Sequence, residues 1–288
     1  MPPRLGVLLA VVFWGVSFVA TRAVVAQISP ITLIFARAAL GSLLLVAILT
    51  VRGRPWLPPR SAWPSLALMG FIGVAFHGLL QAFALRLTTA VNSGWLIGVT
   101  PIWSAILAAI HLRERFPPRK LLGLTLGFVG AVLVVTRGRL GAGVLALPST
   151  RGDLMILAST VNWAVYTVIG HATLKRLGSL VATTCAMLVG WALLTVPFVY
   201  GRGWRDFGRL DGMGWVSILF LGLCCSGLGY LWWYGALERI EASRVAALLY
   251  LEPLVTLSAA MALLGETVGI TTMVGGLLLV GGVALVEK

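Results

Sequence analysis

Two glycine-rich apolar segments decide the fold of this chain: LLGLTLGFVGAVLVVT at residues 121–136 and MVGGLLLVGGVALVEK at residues 273–288. They lie at the same place in two longer stretches, 84–136 and 236–288, which align without a gap at a spacing of 152 residues. The alignment pairs prolines, glutamates and glycines: Pro101 with Pro253, Glu114 with Glu266, Gly123 with Gly275, and Gly130 with Gly282. The second half of the chain therefore repeats the first.

The composition places the chain in a membrane. Of its 288 residues, 59% are hydrophobic and only 11% are charged, which leaves too few polar groups to cover the surface of a soluble protein. A helix of about 20 apolar residues spans the hydrocarbon core of a bilayer. Ten such spans are predicted: Leu5–Val25, Pro30–Val51, Trp63–Leu85, Val91–Leu112, Leu121–Thr136, Leu154–Ala172, Leu180–Tyr200, Met213–Leu237, Val245–Leu264 and Ile270–Val286.

A polar linking loop at residues 138–150 separates five spans from five. It divides the chain into two predicted repeats, residues 1–137 and residues 151–288. Because each repeat has an odd number of spans, the second repeat enters the membrane from the opposite side. The sequence therefore predicts an all-α polytopic membrane protein whose ten transmembrane helices form two inverted five-helix repeats.

The basic residues indicate the orientation of the chain. The net charge is +13, but the basic side chains lie in short loops between spans and not on one polar face, so no binding to nucleic acid is predicted. With a cytoplasmic amino terminus, the cytoplasmic loops carry eight basic residues against two in the first half, and five against six in the second half. The positive-inside rule then favours both termini in the cytoplasm.

Motifs that bind cofactors or metals do not occur in the sequence. A Gly-Lys-Ser phosphate loop is missing, and the histidines and cysteines show no metal-ligand spacing. We therefore predict no cofactor, no metal site and no catalytic residue. An intramembrane enzyme acting on lipids is the less favoured alternative, since it would have only Glu252 and His77 as acid and base.

The fifth span of each half is rich in glycine, which lets neighbouring helices approach closely. The glycines are Gly123, Gly127 and Gly130 in the first half, and Gly275, Gly276, Gly281 and Gly282 in the second. Two interpretations stay open for them. They pack a scaffold helix within the chain, or they form the interface of a homodimer.

Pro101 and Pro253 occupy matched positions in the middle of the fourth and ninth spans. A proline inside a helix removes a backbone hydrogen bond and kinks the helix. Interrupted helices at corresponding positions of two repeats point to the binding site of a transporter. We predict that both prolines act as hinges, and a static kink is the alternative.

Glu252 and Arg37 are charged residues within predicted spans. A buried carboxylate near the bilayer midplane is costly unless it faces a partner or a wet cavity. Glu252 is therefore predicted to bind a substrate amine or a proton, with a structural ion pair as the alternative. Arg37 is a candidate partner for that pair, although a structural role, either snorkelling or binding carbonyls, is favoured.

Polar and aromatic residues at helical spacing predict a cavity wall. His77 and Gln81 share a face of the third span with Gly70 and Val74, although a histidine satisfied by a carbonyl is the alternative. Tyr250 reaches the same cavity as Glu252 only if the helix is distorted near Pro253. The other predicted cavity residues, for which ordinary packing is the alternative, are Trp14, Ser17, Trp95, Trp163, Tyr166, Tyr230 and Trp233.

Short motifs spread over nearly the whole chain, each weak by itself, carry a family resemblance: Trp14-Gly15-Val16-Ser17-Phe18, Ser29-Pro30, Phe35-Ala36-Arg37, Thr100-Pro101, Glu114-Arg115, Asn162-Trp163-Ala164-Val165-Tyr166, Glu252-Pro253 and Gly265-Glu266. Through these positions the chain resembles the EamA-type branch of the drug/metabolite transporter superfamily, and most of all the bacterial YddG-type amino-acid exporters. The seventh span lacks a counterpart to Arg37.

The resemblance implies a cavity lined by spans one, three, four, six, eight and nine, in the inner membrane of a bacterium. It implies export of aromatic or other neutral amino acids, a small-molecule substrate, by alternating access, and structural roles for Arg37 and Glu114. Other substrate classes of the family, such as sugars, nucleosides or cationic drugs, remain the alternative.

Overall fold

The computed structural model describes residues 2–53, 57–100, 102–103, 106–107, 118–139, 148–237, 245 and 247–287. Within these residues the regular structure is helical and follows the order of the predicted spans. The uninterrupted helices are α1 (Pro3–Val25), α2 (Pro30–Val51), α4 (Ala90–Ile97), α5 (Pro118–Thr136), α6 (Pro148–Leu177), α7 (Ser179–Tyr200) and α10 (Ile270–Glu287). Residues 102–103 and 106–107 of the fourth span are also helical.

Three helices change their winding along their length. Helix α3 joins a 3-10 turn, Arg60–Ala62, to Trp63–Met69, a π-helical stretch Gly70–Phe76, and His77–Leu87. Helix α8 joins Gly212–Leu219, a π-helical stretch Phe220–Gly229, and Tyr230–Leu237. Helix α9 joins a 3-10 turn, Ala247–Tyr250, to Leu251–Leu264.

Length and composition confirm an all-α polytopic membrane protein. Five described helical segments are long and apolar enough to cross a membrane: Pro3–Val25, Pro30–Val51, Arg60–Leu87, Ser179–Tyr200 and Gly212–Ala236. Shorter apolar helices follow at Leu121–Thr136, Leu251–Leu264 and Ile270–Gly282. Helix α6 is longer than the predicted span Leu154–Ala172 and begins at Pro148, which is a favourable residue for a first helical position.

The two glycine-rich helices, α5 and α10, pack against each other through their glycines. A Cβ atom added to Gly130 would lie 2.5 Å from the carbonyl oxygen of Gly275, and one added to Gly282 would lie 2.5 Å from that of Gly123. The two contacts are equivalent in the internal repeat, because Gly130 aligns with Gly282 and Gly123 aligns with Gly275 at the spacing of 152 residues. We call this packing the glycine seam.

The order of contacts along the glycine seam shows that α5 and α10 run antiparallel. The earlier glycine of α5, Gly123, meets the later glycine of α10, Gly282, and the later one of α5, Gly130, meets Gly275. Two inverted repeats place their equivalent helices antiparallel to each other, as observed for α5 and α10. Four of the glycines that could form a homodimer interface already contact each other within the chain. The homodimer stays a prediction, and these four glycines are not free to form its interface.

Hydrogen bonds tie the turn between α7 and α8 to the start of α2. Ser29 caps α2 by accepting a hydrogen bond from the Thr32 amide at 3.1 Å. Asp206 accepts hydrogen bonds from the Ser29 amide at 3.1 Å and the Thr32 hydroxyl at 2.7 Å. Burial raises the pKa of Asp206, but the hydrogen bonds from Thr32 and Ser29 and the charge of Arg209 together outweigh it, so the pKa lies below the ordinary value of 3.8.

A second carboxylate, Asp211, caps the start of α8. It accepts a hydrogen bond from the Gly214 amide at 2.6 Å and another from the Gln27 side-chain amide at 3.1 Å. These two hydrogen bonds lower the pKa of Asp211 below 3.8. The Asp211 amide in turn donates to Gln27 at 3.0 Å, so the loop after α1 is fixed to the start of α8.

Candidate functional site

A cavity of about 70 Å³ lies within the helix bundle and is lined by residues of both repeats. This volume holds several water molecules, since one needs at least about 10–15 Å³. Its wall comes from α1, α2, α3, α4, α6, α7, α8 and α9, so α2 and α7 join the six spans that the resemblance implies. The lining residues are Trp14, Ser17, Phe18, Ile34, Arg37, Ala38, Gly73, Val74, His77, Gly78, Gln81, Ile97, Thr100, Trp163, Met187, Ser226, Tyr230, Leu249 and Glu252.

Four rings form an aromatic wall on one side of the cavity. The ring centre of Trp163 lies 5.0 Å from that of His77, 5.7 Å from that of Trp14 and 5.7 Å from that of Tyr230. The Trp163 ring meets both Trp14 and Tyr230 edge to face, the geometry that aromatic pairs prefer. Trp163, Trp14, Tyr230 and His77 therefore form one continuous cluster of rings along the cavity.

Side chains at this wall hydrogen-bond to backbone carbonyls of the two π-helical stretches. The Trp14 indole donates to the Cys225 carbonyl at 3.1 Å, and the Tyr230 hydroxyl donates to the Gly73 carbonyl at 3.2 Å. Asn162 donates to the Ile72 carbonyl at 2.8 Å. π-Helical turns inside α-helices often mark functional sites. Here they provide the acceptors that hold the aromatic wall in place.

Glu252 brings a carboxylate into the cavity wall. The residue is 6% exposed and lies in the first turn of the α-helical part of α9. No described residue donates a hydrogen bond to its carboxylate or pairs with it within 4 Å. The carboxylate is therefore free to meet a ligand in the cavity.

The backbone around Glu252 is fixed to α1. The Thr256 hydroxyl lies 2.9 Å from the Gly15 carbonyl oxygen and 3.0 Å from that of Glu252. A Cβ atom on Gly15 would approach Val255 to 2.8 Å, so the two helices meet at a glycine. This close packing sets the depth at which the carboxylate enters the cavity.

Arg37 also lines the cavity, and no described acidic group lies within ion-pairing distance of it. Its Nε atom donates a hydrogen bond to the Ser226 hydroxyl at 2.7 Å. The predicted alternative of an Arg37–Glu252 ion pair is wrong, because the two side chains do not approach within 4 Å and the described ion pair of the chain is Arg209 with Asp206.

His77 and Gln81 both lie on the cavity wall and have polar partners on α6. The His77 Nδ1 atom lies 3.4 Å from the Asn162 amide nitrogen, and Gln81 donates to the Ser159 hydroxyl at 3.4 Å. Gly70, grouped with them by helical spacing, instead packs on α7, where a Cβ atom would lie 2.7 Å from the Ala186 carbonyl oxygen. The π-helical stretch shifts the helical phase, so Gly73 lines the cavity.

Three predicted cavity residues, Trp95, Tyr166 and Trp233, are buried outside the lining. Trp95 packs on α10, where a Cβ atom on Gly276 would lie 2.2 Å from its ring. Tyr166 sits behind the Trp163 ring at 5.4 Å, and the Trp233 ring sits behind that of Trp14 at 5.2 Å. For these three residues the packing alternative holds.

The remaining predictions concern Ser17, Tyr250 and the two prolines. Ser17 lines the cavity and donates to the Trp14 carbonyl at 2.7 Å. The side chain of Tyr250 and all of Pro101 lie outside the described residues. Pro253 is the third residue of the α-helical part of α9, which directly follows the 3-10 turn, so it lies in the first helical turn after a change of winding and not in the middle of a regular helix.

Two acidic side chains fasten the start of α4 at one end of the bundle. Glu266, in the connection before α10, accepts hydrogen bonds from the amides of Ala90 and Val91 at 3.1 and 2.9 Å. Asp153 of α6 accepts from the Thr88 hydroxyl and from the Asn92 side chain, the latter at 3.0 Å. Carboxylates stabilise a helix amino terminus, so this arrangement joins the two repeats.

Sequence reasoning missed several cavity residues. Arg37 and Thr100 line the cavity, although the sequence does not predict either of them there. An intramembrane charge was the available signal for Arg37. Nothing in the sequence distinguishes Phe18, Ile34 or Met187 from other apolar residues of their helices, since their place at the cavity depends on helix rotation.

Comparisons with known proteins identify the class. Residues 2–136 and 150–287 both match the EamA-like transporter family, so this chain belongs to that family. An uncharacterized transporter of Archaeoglobus fulgidus is 30% identical over 277 residues, which are 96% of this chain and 94% of that protein. The protein is therefore a multi-pass membrane protein of a transporter family.

Two further proteins are similar to it. A probable terminal-alkyne amino-acid exporter of Streptantibioticus cattleyicolor is 28% identical over 225 residues, 78% of this chain and 73% of that protein. A solved crystal structure has the same fold, with a TM-score of 0.69 and 20% identity over 98% of this chain and 95% of the other.

Proposed function

We propose that this protein is a secondary transporter that exports neutral amino acids, aromatic ones above all, by alternating access through the central cavity. The observation that carries the proposal is an aromatic wall and an unpaired carboxylate, Glu252, lining one cavity between two inverted repeats. Such a site combines an apolar surface with a few polar groups that orient a small ligand.

Each part of the substrate has a complementary group in the cavity. Glu252 receives the ammonium group, because it is the buried carboxylate of the lining and has no described protein partner. Trp163, Trp14 and Tyr230 receive the side chain, since rings offer apolar faces and attract cations. The likeness to a probable amino-acid exporter supports this substrate class.

The duplicated architecture supports alternating access. In inverted-repeat transporters, one repeat rocks against the other around a fixed midplane site. Pro101 and Pro253 are the proposed hinges, and Pro253 lies beside Glu252 at the change of winding in α9. Both termini are proposed to lie in the cytoplasm of a bacterium. Neither a cofactor nor a catalytic residue is needed for this cycle.

Counterflow into liposomes tests the proposal. Purified protein is reconstituted with unlabelled phenylalanine inside, and uptake of labelled phenylalanine is followed. We expect exchange by the wild type and a loss of at least about tenfold in Glu252→Gln, because hydrogen bonds to charged groups are the strong ones. Asp211→Asn, which removes a carboxylate outside the cavity, is the matched control. Liposomes that exchange a sugar, a nucleoside or a cationic drug but no amino acid would show that the substrate class is wrong.

A further inference from the structure

Arg37 is a cation in the cavity wall without a described anionic partner. It is the eighth residue of α2, well inside the span, and is half-buried. Burying a guanidinium inside a membrane is costly unless an anion, a carbonyl or water satisfies it. The described structure offers it one neutral partner, the Ser226 hydroxyl on α8. The charge therefore needs a further partner.

The hydrogen bond to Ser226 leaves most of the guanidinium unused. Arginine has five N–H donors, and Nε uses one of them at 2.7 Å. Neither Nη atom has a described hydrogen bond, and neither belongs to the described polar atoms that packing seals without a partner. Both Nη atoms therefore reach open space, and Arg37 lines the central cavity.

A carboxylate matches the geometry of these free donors. The planar guanidinium binds a carboxylate through two parallel N–H···O bonds, which an ammonium or a hydroxyl cannot reproduce. Ser226 limits the rotation of the guanidinium by holding Nε. Glu252, from α9, lines the same cavity and lies beyond ion-pairing distance of Arg37. The cavity thus holds two opposite charges that do not neutralise each other.

We propose that Arg37 binds the carboxylate of the substrate while Glu252 binds its ammonium group, so that the site selects zwitterions. This inference rests on the proposed function and adds the residue that distinguishes an amino acid from an amine. It departs from the structural role that the resemblance implies for Arg37. A structural role would consist of fixing α2 to α8 through Ser226.

Three ligands with the same phenyl ring separate the two charges. Phenylalanine carries both charges, phenethylamine lacks the carboxylate, and 3-phenylpropionate lacks the amine. Equilibrium binding to the purified full-length protein is measured for each. For the wild type we expect phenylalanine to bind at least about tenfold more tightly than phenethylamine, because the second charged contact is missing from the amine. A ratio below about threefold overturns the inference without any variant.

Variants then assign the preference to Arg37. In Arg37→Gln we expect phenylalanine binding to weaken at least about tenfold and phenethylamine binding to stay the same, so the preference disappears. Arg37→Lys keeps the charge without the planar fork and should retain part of the preference. Ser226→Ala frees Nε of Arg37 and should retain only part of the preference, because the guanidinium is then held less firmly. Asp211→Asn, outside the cavity, is the matched control and should keep the whole preference. Thermal unfolding in detergent identifies variants that do not fold.

The outcomes separate this inference from the proposed function. If the wild type binds phenylalanine but Arg37→Gln weakens phenylalanine and phenethylamine equally, Arg37 is structural and only the inference fails. Unchanged binding of phenylalanine in Arg37→Gln has the same meaning. If the wild type binds none of the three ligands, the proposed substrate class itself is wrong and the inference falls with it.

Discussion

The glycine seam keeps the symmetry of the internal repeat, whereas the central cavity does not. Along the seam, the Gly130–Gly275 contact reappears as the Gly282–Gly123 contact, so the two repeats contribute equal surfaces. In the cavity, Glu252 aligns with Thr100, and Arg37 has no basic counterpart in α7. Both regions are built from the same duplicated helices. Symmetry is kept where helices pack and lost where charged groups face the cavity.

This difference follows from what each region needs. A seam between two helices requires only that small residues meet, and a repeat provides that on both sides. A site for one small molecule has to present different groups to its two ends. Two identical repeats would offer two identical charges. Replacing Thr by Glu at one of two equivalent positions removes that equivalence at the wall of the cavity, where we propose that the substrate binds.

The largest effect is expected from filling both ends of the glycine seam. A Cβ atom on Gly130 or Gly282 meets backbone atoms of the partner helix at 2.5 Å, so the helices have to separate. Overpacking costs about 1–3 kcal/mol per site, and distant sites add. The double variant Gly130→Ala/Gly282→Ala should lose up to about 6 kcal/mol, which is close to the whole stability of many proteins. Thermal unfolding in detergent measures the loss.

The single variants test whether the two contacts of the glycine seam are equivalent. Gly130→Ala and Gly282→Ala should destabilise the protein equally, because the two contacts are equivalent. Gly281→Ala is the control on α10, since a Cβ atom there meets nothing within 4 Å. Unequal losses in the two variants, or a similar loss in the control, would contradict an equivalent seam.

A second effect separates the tryptophans that line the cavity from those that pack behind it. Trp163→Ala should weaken phenylalanine binding by about 30-fold, as loss of a binding tryptophan typically does. Trp95→Ala should leave binding by the folded protein unchanged but lower its stability by about 3–5 kcal/mol, because it empties the contact with Gly276. Equilibrium binding and thermal unfolding are measured on both variants. Weaker binding in Trp95→Ala with unchanged stability would reverse the assignment.

A smaller effect is expected where Glu266 fastens α4. Glu266→Ala leaves the amides of Ala90 and Val91 without their acceptors and should cost about 1–2 kcal/mol, the usual effect of losing a helix cap. Thr267→Ala changes the next residue, which is exposed, and should have no effect. Chemical denaturation in detergent compares the two. Equal stability of both variants would show that the Glu266 contacts contribute nothing.

The smallest effect concerns Asp206 and depends on pH. Its pKa is lower in the folded protein than the ordinary 3.8, so its contribution to stability is present above that value. The contribution is lost as the pH falls through the lowered pKa of the folded state. The difference in unfolding temperature between wild type and Asp206→Asn should therefore be greatest near neutral pH and should shrink as the pH falls below 3.8 and through the lowered pKa. Other carboxyl groups titrate in both proteins and cancel in the difference. A difference in unfolding temperature that grows on acidification would contradict a lowered pKa of Asp206.

The sequence predicts the fold better than it predicts the site. Apolar runs and a gap-free internal alignment define the spans and the repeats, because both depend only on residue order. Whether Trp95 or Trp163 faces the cavity depends on the rotation of each helix. The Trp95 ring packs on α10 in the space left by the missing side chain of Gly276. This contact joins residues that are distant in the sequence.

The π-helical stretches are another reason why the sequence predicts the site less well than the fold. Helical spacing grouped Gly70 with His77, but the wide turns between them change which residues share a face. Gly70 packs on α7, and Gly73 lines the cavity. Arg37 shows the opposite case. Its charge was visible in the sequence, yet its place on the cavity wall required the contact between α2 and α8 through Ser226.

The glycine seam also has the form of an isologous interface. In a twofold dimer, residue i of one subunit contacts residue j of the other, and j contacts i in return. The seam repeats this rule within one chain, with Gly130 on Gly275 and Gly282 on Gly123. Two copies of a single five-helix unit could form the same contact, provided that they inserted in opposite orientations. Joining the units in one chain fixes those orientations, and it frees each half to acquire charges that the other lacks.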